Sequence, residues 1–155
     1  MSTTPAPIDP RGPRFGAAIT SVVLAATILA GPANPVALVL LALQAVVFAL
    51  GSLVGLAAQP YGIVFKRFVR PRLAAPTELE DPRPPRFAQT VGLAFAITGL
   101  LGLALHVSAL FYVAVGFALV AALLNAVFNV CLGCEVYLLG RRLAGKPLAP
   151  VGQGS

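Results

Sequence analysis

Apolar residues along this chain gather into four unbroken blocks, at about 15–30, 35–58, 87–105 and 108–130, and none of them contains Asp, Glu, Lys or Arg. About 20 residues of helix cross the roughly 30 Å hydrocarbon core of a bilayer, so each block is long enough, or nearly so, to span it. A helix of a soluble bundle keeps a charged stripe toward water; these blocks are apolar all round. The pattern predicts an all-α membrane protein with four transmembrane helices, forming one integral domain over residues 1–155. The first block follows Arg11 and Arg14 as the core of a secretory signal would. A short connection and a second span follow at once, which favours a retained helix.

The polar intervals repeat. Asp9-Pro10-Arg11-Gly12-Pro13-Arg14-Phe15 recurs as Asp81-Pro82-Arg83-Pro84-Pro85-Arg86-Phe87, identical at six of seven positions, and each copy leads into a pair of spans. The spans therefore read as two tandem helical hairpins of the same orientation, a parallel internal repeat with halves 9–72 and 81–143. The prolines keep each entry extended. Arg11, Arg14, Arg83 and Arg86 are expected to anchor at the lipid headgroups, with Phe15 and Phe87 entering the apolar layer. The repeat aligns Gln59–Phe65 with Cys131–Tyr137. Pro60 and Gly62 should end the second span and start a short amphipathic segment, with Tyr61, Ile63, Val64, Phe65 and Phe68 toward the membrane. By the same alignment Gly133 should break the chain after span four, opening an interfacial helix from Cys134 to Leu143.

Charge then orients the chain. The eleven Lys and Arg residues fall before span one, between spans two and three, and after span four, while the other two connections carry none. With four spans, these regions share one side. The positive-inside rule makes that side cytoplasmic, with both termini in the cytoplasm of a bacterial inner membrane. The formal net charge of +6 then reflects topology and attraction to anionic lipid. No nucleic-acid-reading module accompanies it, so no nucleic-acid partner is expected.

Composition supports this picture: 58% of the 155 residues are hydrophobic and 10% charged, against roughly 25% charged in soluble domains. The lack of charge inside the spans argues against an ion pump or proton-coupled transporter. Asn125, Asn129, Gln44, Thr90 and Thr98 are expected to make interhelical hydrogen bonds, and Gly51, Gly55, Gly99 and Gly102 to mark close helix packing.

The chemistry with most promise lies in Cys131-Leu132-Gly133-Cys134-Glu135. Both cysteines of the chain stand here, beside Arg141 and Arg142. The spacing suits thiol–disulfide or sulfur-relay exchange, in which Cys131 and Cys134 form the redox pair while Gly133 and Glu135 tune it. A break at Gly133 would favour Cys134 as the attacking thiolate. Two other uses stay open: the cysteines pack as small apolar residues, or they supply half of a metal site whose other ligands come from another subunit. No cofactor is called for, and whether the chain is an enzyme is undecided.

The two Asp-Pro-Arg strings, together with Asn129-Val130-Cys131-Leu132-Gly133-Cys134-Glu135, resemble a bacterial domain-of-unknown-function family, number four-three-nine-five, over about residues 8–143. The resemblance implies a small four-span membrane protein whose signature is the C-L-G-C-E string. A thioredoxin-like or rhodanese-type partner is consistent with that motif. A second copy of the chain, forming a homo-oligomer, is a further candidate partner, and the alternative reading is a structural or assembly subunit without chemistry of its own.

Overall fold

The computed structural model describes residues 5–146, and among them four helices are long and apolar enough to cross a membrane. Helix α1 spans Arg11–Ala30 and α2 spans Pro35–Ala49. Asn34 starts α2 by accepting the Val36 N–H at 3.0 Å, and Pro35 supplies a first residue with no amide to satisfy. A π-helical turn, Leu50–Val54, extends α2 until Gly55 ends it at φ 133°. A short helix, α3 at Pro60–Val64, is continued by a π-helical turn at Phe65–Val69. The second half contains α4 (Arg83–Ala104), α5 (Ser108–Phe128) and α6 (Leu132–Leu143).

Leu24, Leu41, Phe111 and Val115 form the buried centre where α1, α2, α4 and α5 meet. The packing is close because glycines admit it. A Cβ on Gly102 would lie 2.6 Å from the Phe111 nitrogen, and one on Gly99 would meet both Leu41 and Val115 at 3.0 Å. Small residues of this kind let transmembrane helices approach and gain dispersion contacts, since lipid is as apolar as the side chains. Gly51 is likewise crowded, by Gln89 and Gln59, whereas nothing lies near Gly55, which serves to end a helix. The outer surface is apolar, with Leu29 86% and Phe117 62% exposed. Such a surface belongs in a bilayer.

Side-chain hydrogen bonds join polar groups between elements, among them Gln59 donating to Gln89 of α4 at 2.8 Å. Gln44 donates to the Thr20 hydroxyl at 3.3 Å and accepts from the Tyr61 hydroxyl at 2.9 Å, tying α2 to α1 and α3. Ser52 and Thr90 share a hydrogen bond of 2.6 Å between the end of α2 and α4. Thr98 instead returns its hydroxyl to the Ala94 carbonyl of its own helix.

Several contacts recur at the 72-residue offset that aligns the two Asp-Pro-Arg strings. Asp9 accepts the Arg11 N–H at 3.0 Å, and Asp81 accepts the Arg83 N–H at 2.9 Å. Phe15 lies on Phe65, and Phe87 on Tyr137, each pair with ring centroids 5.7 Å apart. Ile8 and Glu80 exchange two backbone hydrogen bonds of 2.9 Å. The second arginine of each string crosses to the other half. Arg14 donates to the Ala126 carbonyl near the end of α5 (3.2 Å), and Arg86 donates to the Ser52 and Leu53 carbonyls at the end of α2 (2.7 and 2.8 Å). These arginines thus satisfy carbonyls that a helix C-terminus leaves without partners. The crossings bring the starts of α1 and α4 beside the ends of α5 and α2, so all three basic regions lie on one face.

Candidate functional site

The cysteines owe their placement to a helix end that forms two residues ahead of them. Asn129 adopts the left-handed conformation (φ 57°, ψ 30°) and closes α5. Asn tolerates that region better than most residues with a side chain. The break therefore falls at Asn129, not at Gly133 as the repeat suggested. Cys131 is extended (φ −90°, ψ 98°) and is the N-cap of α6. Its Sγ accepts the Cys134 N–H at 3.3 Å, and its carbonyl accepts the Glu135 N–H at 3.0 Å. Gly133 and Cys134 lie within the first turn of α6. The cysteines are joined by a disulfide with their Cα atoms 5.2 Å apart, inside the usual range for such a bond.

Gly133 has a packing role. A Cβ there would stand 2.6 Å from both Cα and Cβ of Ala88, so the absence of a side chain lets α6 dock directly on the backbone of α4. The Phe87–Tyr137 ring contact holds the next turn. An adjacent side of α6 carries Leu132, Val136, Leu139 and Leu143, all exposed and spaced as one helical stripe. With Arg141 and Arg142 in its last turn, α6 has the form of a helix lying in a membrane interface. In the matching part of the first half, Ile63, Val64 and Phe68 are exposed, but Phe65 is buried on Phe15 and Tyr61 is half-buried at Gln44. The expected apolar face of that segment is therefore split between the bilayer and the protein.

Two cavities meet at Cys131. A cleft of about 390 Å³ on the basic face is lined by Cys131, Cys134, Glu135, Glu80, Asp81 and Arg141, among others. Partial burial, with Glu78 nearby, pushes the Glu80 carboxyl above its ordinary range. Tyr137 donates its ring to the Arg141 guanidinium, 5.9 Å from the centroid, and also accepts a 3.2 Å hydrogen bond from it. The second cavity, about 340 Å³, lies among the spans beneath the Cys131–Gly133 turn, with Phe48, Phe95, Phe117 and Ala121 in its lining. Cys131 and Asn125 line both cavities. A related cleft of about 360 Å³ occupies the corresponding place in the first half, where Gln59 and Gly62 replace the two cysteines.

The structure thus gathers Cys131, Cys134 and Glu135 at one cleft and puts Gly133 at the neighbouring cavity. The expected anchors stand apart from the dithiol, in contacts of their own. Arg11 pairs with Asp9 at 2.7 Å and donates to the Ala74 carbonyl, and Arg83 lies 4.0 Å from Asp81. The Arg11 guanidinium holds the Asp9 carboxyl below its usual range. Sequence reasoning did not single out Glu80 or the site role of Arg141. Asn125 was flagged only as a polar residue in a span, and it makes no hydrogen bond through its side chain among the described residues. No group of three or more His, Cys, Asp or Glu residues arranged to hold a metal ion occurs among the described residues.

A family model described as Domain of unknown function (DUF4395) matches residues 8–142. Comparison with curated proteins and with solved structures returned no match.

Proposed function

The chain belongs to the DUF4395 family, and on that footing we propose that it is a membrane-embedded dithiol–disulfide carrier. It works at the basic face, which lies in the cytoplasm of a bacterial inner membrane. The observation that carries this reading is the seat of Cys131 at the N-terminus of α6, its Sγ 3.3 Å from the Cys134 amide and its side chain on an open cleft. Free amides at a helix N-terminus favour a thiolate over a thiol. Cys131 is therefore the attacking sulfur and Cys134 the resolving one. The preference for Cys134 depended on a break at Gly133, and that condition is not met.

Two halves related by a two-fold axis along the membrane normal account for the contacts that recur at one offset. Only the second half carries the cysteines. In the first, the corresponding cleft is closed to thiol chemistry by Gln59 and Gly62. Arg11, Arg14, Arg83 and Arg86 hold the helix ends at headgroup level, and Glu135 and Gly133 shape the site. The cleft suits a protein partner with its own cysteine pair, of the thioredoxin-like or rhodanese-type class. In the exchange, a thiolate of the partner dithiol attacks the Cys131 sulfur and Cys134 leaves as the thiolate; the partner's second thiol then displaces Cys131 from the mixed disulfide, and in the reverse direction Cys131 attacks and Cys134 resolves.

A second reading has its own support in the direct docking of Gly133 on Ala88: the CxxC turn is a packing device of an assembly subunit, and oligomerisation is its purpose. Incubating the oxidised protein in lipid nanodiscs with a reduced thioredoxin-like protein separates the two. Loss of the internal disulfide with matching oxidation of the partner supports the carrier. Resistance of the disulfide, with an unchanged oligomer, supports the assembly role.

A further inference from the structure

A disulfide carrier that has oxidised its partner is left as a dithiol, and it needs an acceptor for two electrons. We infer that the cavity beneath the Cys131–Gly133 turn is a binding site for a quinone, the lipid-soluble acceptor that reoxidises the pair. This rests on the carrier reading and extends it. The cavity, at about 340 Å³, falls within the roughly 300–1,000 Å³ of small-molecule sites, which are mostly apolar with a few placed polar groups. Its walls fit that description: Phe48, Phe95, Phe117 and Ala121 form apolar lining, and Asn125 and Cys131 lie in the same lining. Phe95 and Phe117 are themselves stacked, with centroids 6.1 Å apart and planes 19° from parallel.

The polar end selects the occupant. Asn125 is an amide in a membrane span without a side-chain hydrogen bond among the described residues, and it lies in this cavity's lining, so its N–H groups are available to a ligand there. A quinone carbonyl accepts from the Asn125 amide while its ring and tail occupy apolar space. An acyl chain offers that amide no acceptor. Cys131 also lines the basic-face cleft, so this residue lies between the partner's side and the bilayer's side. The step balances: two S–H bonds break, one S–S bond forms, and the two electrons and two protons convert the quinone to its quinol.

The test uses the full-length, dithiol-reduced protein in nanodiscs, with ubiquinone-1 as one oxidant and oxidised glutathione as a water-soluble control. The ring of ubiquinone-1 is fully substituted, which disfavours Michael addition of the thiols to it. The expected result is one quinol per disulfide formed. Ala121→Phe, which fills the cavity and lies outside the cleft lining, slows the quinone reaction about tenfold or more while the glutathione reaction keeps its rate. As a measurement independent of that variant's folding, an azido-ubiquinone should label peptides of α4 or α5 in the parent protein, and ubiquinone-1 should compete. Oxidation by glutathione but not by ubiquinone-1 overturns the quinone site and leaves the carrier reading standing. Oxidation by neither overturns the carrier reading itself. Equal quinone rates in a folded Ala121→Phe protein, or a cavity holding phospholipid that ubiquinone-1 does not displace, also overturn the site.

Discussion

Gly133 rests on the backbone of Ala88, where a Cβ would come within 2.6 Å of the Ala88 Cα. Gly133→Ala should therefore lift the first turn of α6 and cost about 1–3 kcal/mol, the usual range for overpacking. Because the crowding is against the Cα as well as the Cβ, adding Ala88→Gly should recover little of the loss. Thermal unfolding in detergent measures both changes. Full recovery in the double variant would mean that α6 does not dock as described.

The paired arginines offer an unequal comparison. Arg86 makes two hydrogen bonds to carbonyls ending α2, and Arg14 makes one longer bond to α5. Hydrogen bonds to charged groups contribute about 1.5–3 kcal/mol when well shielded, and partial exposure here reduces that to roughly 1 kcal/mol for Arg86. Arg86→Gln should lower the unfolding midpoint more than Arg14→Gln does.

The bridge between the first and second polar strings should respond to acid in two opposing ways. Asp9 is held below the usual carboxylate range by its hydrogen bond with Arg11. Its stabilising effect is full above the ordinary pKa and is lost as pH falls through the depressed one. Glu80 is raised, so it opposes folding at neutral pH, and that penalty fades as pH falls from the raised value to the ordinary one. Stability–pH curves of Asp9→Asn should lose the acid-side decline. Those of Glu80→Gln should be higher near neutrality and lose the opposing trend.

Much of the architecture was legible because the bilayer imposes it. Charge-free blocks gave the spans, and a repeated Asp-Pro-Arg string marked both helix entries. The details that escaped depend on three-dimensional contact. Asn129 and Gly133 are both plausible breakers, and only the chain path shows that the glycine is needed for close approach instead. Nothing in the sequence reveals which helix end lies opposite Arg14 and Arg86, so their bonds to the Ala126, Ser52 and Leu53 carbonyls appear only in the fold. Asn125 reads as an interhelical hydrogen-bonding residue, as Gln44 is, but it lines two cavities and makes no side-chain hydrogen bond among the described residues.

The order of attack at the dithiol can be read from trapping. With Cys131 as nucleophile, Cys134→Ser should accumulate a mixed disulfide with the partner through Cys131. Cys131→Ser should accumulate far less, about tenfold or lower, when both are resolved by non-reducing electrophoresis and mass spectrometry. A dominant adduct on Cys134 would reverse the assignment.

Labelling with a membrane-impermeant maleimide, in intact cells and in inverted inner-membrane vesicles, before and after reduction, tests the central claim most directly. A dithiol working at a cytoplasmic basic face predicts modification of Cys131 and Cys134 in inverted vesicles, increased by prior reduction, and none in intact cells. Labelling from the outside alone would contradict the orientation, and no labelling in either preparation after reduction would contradict an accessible dithiol altogether.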